Sequence, residues 1–122
     1  LYSRELDNKK YQGALNNFRI WEIDTDIYYY NESYDTYFDN PFEFDLLYID
    51  VHNEGRRIQK ILDNHFIKSM IKKGKHILFE GGSDERNNIA ISRGGSSFKI
   101  IENDYELIYG NQNDRHTLSR LC

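Results

Sequence analysis

Asp50 closes the apolar run Phe44-Asp-Leu-Leu-Tyr-Ile-Asp-Val-His-Asn53, and Glu80 closes a second one, His76-Ile-Leu-Phe-Glu-Gly-Gly-Ser83. A carboxylate at the end of a strand is ionised at neutral pH, so it can orient a hydroxyl, accept a proton or hold a hard cation. His52 follows Asp50 by two residues, the spacing that returns a side chain to the same side of an extended chain, and an imidazole titrates near neutrality. Asp50 and His52 are therefore the candidate catalytic pair, His52 taking a hydroxyl proton and Asp50 orienting the ring. Asp50 and Glu80, with His52 beside them, are alternatively the ligands of a Mg²⁺ or Mn²⁺ ion. The competing structural reading makes Asp50 the cap of the next helix and His52 a solvated loop residue.

For these groups to meet, the two runs must lie side by side with the same direction. Between them, residues 56–73 carry Ile58, Ile61, Leu62, Phe66 and Met70 at spacings of three or four, which predicts a helix stopped by Lys72-Lys73-Gly74. A strand, a helix and a strand form a right-handed crossover with parallel strands, whose carboxyl ends share one edge. Ligands of open α/β sheets bind at that edge. The near-continuous apolar character of 44–51 predicts a central strand covered on both faces.

Elsewhere, Leu1 to Leu6 reads as a strand, followed after Asp7-Asn8 by a helix to Leu15, a turn at Asn16-Asn17 and a strand over Phe18 to Tyr29. Ser33 to Phe38 reads as a short helix closed by Asn40-Pro41. Gly81-Gly82 is a turn and Ser83 a helix cap. Strands are expected over Phe98–Ile101, Tyr105–Tyr109 and Thr117–Leu121, the last two joined as a hairpin through Gly110–Asp114.

A chain of 122 residues with 39% hydrophobic and 30% charged residues fits one globular domain, 1–122. A net charge of −4 disfavours a phosphate backbone as partner, so no nucleic acid is expected. No apolar run approaches the ~20 residues of a membrane helix, so no membrane partner is expected either. The single cysteine, Cys122, has no internal partner and makes the cytoplasm the simplest compartment. Tyr28, Tyr29, Tyr30, Tyr34, Tyr37 and Phe38 crowd together as packing groups or as the lining of a sugar or purine pocket.

The order of helix–strand units, the two strand-end acids and the terminal hairpin resemble the class I S-adenosylmethionine-dependent methyltransferases. Tyr48-Ile-Asp-Val-His52 is similar to the fourth-strand pattern Ile-Asp-Gly-x-His of small-molecule and sugar O-methyltransferases. The resemblance implies a Rossmann-like α/β fold: a mostly parallel sheet, helices on both faces and a C-terminal antiparallel hairpin. It implies S-adenosylmethionine as cofactor, with Glu5, or alternatively Asp7, at the end of the second strand binding the ribose. Asp24 and Thr25, in Glu22-Ile-Asp-Thr25, match the element beside the adenine, with Ile23 in place of glycine. Metal-dependent members end the fifth strand Asp-Asn where this chain has Glu80-Gly81, which departs from the metal set. The family's glycine-rich cofactor loop and first strand have no counterpart before Leu1, so the resemblance covers the carboxyl-terminal part of such a domain. That first strand would lie between the second and fourth, so the chain is expected to need an upstream segment or to form a homo-oligomer. The implied partner is a small hydroxylated acceptor.

Ile23-Asp-Thr-Asp-Ile27 supplies a rival reading, since Asp24-Thr25-Asp26 resembles the Asp-x-Asp element of nucleotide-sugar glycosyltransferases. A third reading is an inactive remnant or interaction module.

Overall fold

The computed structural model describes residues 1–23 and 28–122. The chain forms two compact units, Leu1–Phe42 and Glu43–Cys122.

In the first unit, β1 (Tyr2–Arg4) pairs in parallel with β2 (Tyr28–Tyr30), with Tyr2 opposite Tyr28 and Arg4 opposite Tyr30. Between them runs α1 (Asn8–Ile20), capped by the Asp7 carboxylate, which accepts the Lys10 N–H at 3.0 Å. The helix passes straight through Asn16-Asn17, where the sequence predicts a turn, and takes Phe18 to Ile20 out of the expected strand. Two interactions explain this. Tyr11, Ala14 and Phe18 are half-buried at spacings of three and four, a helical stripe, and the Asn16 side chain accepts from the Arg19 guanidinium at 2.6 Å instead of bending its own backbone. The short α2 (Asp35–Asp39) ends before Pro41 as expected. Its Tyr37 is 5% exposed and donates its hydroxyl to the Phe42 carbonyl at 2.8 Å. The Arg4 guanidinium lies 5.5 Å from the centres of both the Tyr30 and Tyr37 rings and pairs with Glu32. Burial pushes the Tyr37 phenol up to about 12, against the opposing pull of Arg4.

The second unit is a four-stranded sheet packed on helices. Its elements are β3 (Leu46–Ile49), α3 (Gly55–Leu62), α4 (His65–Lys72), β4 (His76–Glu80), α5 (Asp84–Ser92), a 3₁₀ turn at Phe98–Ile101, β5 (Tyr105–Tyr109) and β6 (Leu118–Leu121). The strand order is β3-β4-β6-β5. The β3 and β4 strands run parallel, with Leu46 opposite His76 and Ile49 opposite Phe79, while β4 with β6 and β6 with β5 run antiparallel.

The fold is thus α/β, with the parallel pair and the terminal hairpin that the sequence predicts. Three expectations are corrected. The sheet has one parallel pair and two antiparallel ones and is not mostly parallel, because the antiparallel hairpin supplies two of its four strands. The β3 strand is at the edge instead of the centre. One face alone is closed: Ile49, Ile77, Phe79 and Leu121 are buried, whereas Leu46, Tyr48 and Ile108 on the other face are 46–55% exposed. An apolar run reads the same whether one face is covered or both, so composition could not separate the cases.

The helix expected over 56–73 is two helices. Asn64 breaks it, its side chain accepting from the Phe66 and Ile67 N–H groups as the cap of α4. The strand expected over 98–101 is the 3₁₀ turn, because Asn87 draws it in: its Oδ1 accepts from the Phe98 N–H at 2.9 Å and the Ser97 hydroxyl at 2.7 Å. Phe98 and Ile101, three apart, are then buried together, and Phe98 stacks on Phe79. Gly74, at φ 79°, closes α4 as Lys72-Lys73-Gly74 predicts.

Candidate functional site

Parallel pairing of β3 with β4 sets Asp50 and Glu80 one step beyond the Ile49–Phe79 register pair, at the same end of the sheet. Tyr48 lies opposite Leu78, so its side chain shares a face with Glu80 two residues further on. The Tyr48 hydroxyl donates to Glu80 Oε1 at 3.1 Å, and Arg86 in the first turn of α5 donates to Glu80 Oε2 at 3.3 Å. Arg86 is mostly buried, with its side chain 18% exposed. Burial, reinforced by Glu80 and Asp50, pushes the Tyr48 phenol up to about 12, with Arg86 opposing. Tyr48 is therefore a neutral donor, not a base, at physiological pH.

Asn53 ties the strand ends together. Its Nδ2 donates to the Ile49 carbonyl at 3.1 Å and to the Glu80 carbonyl at 3.0 Å, while its Oδ1 is buried with no partner among the described residues. Neither Asn53, Tyr48 nor Arg86 stands out in the sequence. The usable signal is the strand register, which brings 48 and 80 to one face once parallel pairing is assumed.

Asp50 and His52 are both exposed, and their side chains make no hydrogen bond or ion pair among the described residues. Asp50 does not cap the following helix: Glu54 does, accepting from the Arg56 and Arg57 N–H groups. Asp50 thus stands at the carboxyl edge without a structural duty.

Glu80 does not fit a metal. One of its oxygens is held by Tyr48 and the other by a cation, Arg86, that would repel a second one. Among the described residues no group of three His, Cys, Asp or Glu side chains is arranged to hold a metal ion. The glycine turn offers no anion cradle either. The Gly81 carbonyl accepts from Thr117 and Ser119, and Gly82, at φ 89°, sits too close to Tyr105 and Ser119 for any side chain. At the start of α5, Gln112 takes the Asp84 and Glu85 N–H groups and Ser83 takes that of Arg86.

In the first unit, Glu5 follows β1, and its N–H donates to the Tyr30 carbonyl to extend the parallel ladder. Its Oε1 accepts the Asp7 N–H at 2.8 Å. Asp7 caps α1 through Oδ1, so each of these two acids has one carboxylate oxygen on a backbone N–H. Asp24, Thr25 and Asp26 lie outside the described residues.

A surface cavity of about 320 Å³ lies between α3 and α4, lined by Gln59, Asp63, Lys68, Lys72, Asp104 and Cys122 among others. Leu118 pairs with Glu80 and Leu121 with Tyr105, so Asp104 and Cys122 mark the opposite end of the sheet from Asp50. No helix among the described residues is long and apolar enough to cross a membrane. Comparisons with protein-family models and with curated proteins find no match to this chain.

Proposed function

We propose that the chain acts as an S-adenosylmethionine-dependent methyltransferase on a small hydroxylated acceptor. The observation that carries this reading is the parallel β3–β4 pair, which sets Asp50 at the carboxyl edge of the sheet with Glu80 beside it. The separate parallel pair ending in Glu5 adds support, since the resemblance puts the ribose-binding acid at such a strand end. Glu5 suits that role, because the Asp7 N–H fixes one carboxylate oxygen and leaves the other to a hydroxyl.

S-Adenosylmethionine, when bound, supplies a methyl group on a sulfonium whose leaving group needs no further activation. The protein's work is then to align the acceptor and take its proton. His52 accepts the hydroxyl proton as the oxygen attacks, and Asp50 steadies the resulting cation. Tyr48 and Arg86 keep Glu80 in a fixed, charge-compensated position beside them. No step needs a metal.

Calorimetric titration tests the reading. S-Adenosylhomocysteine is expected to bind the chain, and Asp50→Ala is expected to lower turnover at least tenfold. Absence of binding, together with manganese-dependent binding of a nucleotide sugar, would overturn the proposal.

A further inference from the structure

Charge in this chain is sorted into blocks. Residues 20–55 hold ten Asp or Glu and no Lys or Arg, whereas residues 56–75 hold seven Lys or Arg against one acid, Asp63. Part of this imbalance is settled within the second unit, where Lys73 pairs with Glu43, Lys75 with Asp45 and Lys68 with Asp63, and where Glu54 caps α3. The charges left over on the two blocks are matched in spacing. Arg56 and Lys60 stand one helical turn apart on α3, and Asp35 and Asp39 stand one turn apart on α2. All four are exposed, and none of their side chains has a hydrogen-bond or ion-pair partner among the described residues. Arg56 lies in the first turn of α3, where the helix dipole disfavours a cation, so its charge does not serve the helix that carries it. Exposed Lys72, equally unpaired among the described residues, adds a cation from α4, beside exposed His65 of the same helix. Neither α3 nor α4 contains an acid, and α2 contains no cation. The acids that line the cavity between α3 and α4 are Asp63, already paired with Lys68, and Asp104.

We propose that the chain associates with a second copy of itself, the basic face of α3 and α4 in one copy receiving the acidic α2 of the other, with Arg56 and Lys60 meeting Asp35 and Asp39. Every copy carries both patches, so the contact is heterologous. Exposed ion pairs are individually weak and are screened by salt, so the association is concentration-dependent and salt-sensitive. The inference goes beyond the methyltransferase reading and does not depend on it.

Sedimentation equilibrium on the full chain at rising protein concentration tests it. The weight-average mass is expected to climb above the 14.6 kDa of one chain at low salt. It is expected to return to that value at an ionic strength of about 0.5 M, where the screening length has shrunk to about 4 Å. Arg56→Glu with Lys60→Glu is expected to weaken association by about tenfold or more, and Asp35→Lys with Asp39→Lys to do the same. Mixing the two double variants restores opposite charges across the contact and is expected to restore association, a result that misfolding of either variant could not produce. A monomer at every concentration would overturn the proposal. So would association that survives both salt and charge reversal, which would point to the open face of the sheet instead. Failure of the mixture to associate, with both variants keeping the circular dichroism spectrum of the unaltered chain, would overturn it as well.

Discussion

Single side chains in this protein take their roles from what surrounds them. Asp50 and Glu80 end equivalent strands, yet Glu80 is engaged by Tyr48 and Arg86 while Asp50 is left to solvent. Sequence spacing identifies both acids but cannot separate them, because the partners come from another strand and another helix. Tyr37 offers the clearest test at this scale. Its phenol is raised by burial to about 12 from an ordinary value near 10, so the folded state holds the proton more tightly than the unfolded one. That contribution is fully present below about pH 10 and is lost as pH rises toward the folded value; at pH 11 the loss is about 1 kcal/mol. In urea unfolding at pH 8 and pH 11, Tyr37→Phe is expected to lose less stability between the two than the unaltered chain. Equal losses would contradict the assignment.

At the scale of elements, periodicity located α3, α4, β3, β4 and the hairpin, and side-chain competition for the backbone decided the rest. Asn16-Asn17 resembles a turn but stays helical, because the Tyr11, Ala14 and Phe18 stripe continues past it. Asn64 does the reverse and starts a new helix inside an unbroken apolar pattern. The same residue type thus interrupts one helix and not another. What differs is whether the amide reaches the N–H groups ahead of it, which spacing does not reveal. Asn64→Ala removes the cap of α4 and is expected to cost about 1 kcal/mol in chemical denaturation. Loss of stability within error of zero would show that α4 is held by packing alone.

For the molecule as a whole, the sequence predicts the parallel pair, its two acids and the antiparallel hairpin but not β3 at the edge or the open face, since the side of a strand that is covered depends on what packs there. The second unit draws its core from within itself: Ile58 and Ile67 of the helices, Ile77 and Phe79 of β4, Phe98 of the 3₁₀ turn and Leu121 of β6 are all buried. A chain of residues 43–122 is therefore expected to melt cooperatively, and Phe79→Ala to lower its stability by about 3–5 kcal/mol. A broad, non-cooperative melt would mean that this core needs more than its own residues. The central claim, that the carboxyl edge of β3 and β4 is the functional edge, is tested most directly by amide chemical-shift mapping as S-adenosylhomocysteine is added. Shifts that include 49–53 are expected; shifts confined to the cavity near Gln59, Lys72 and Asp104, with 49–53 unmoved, would contradict it.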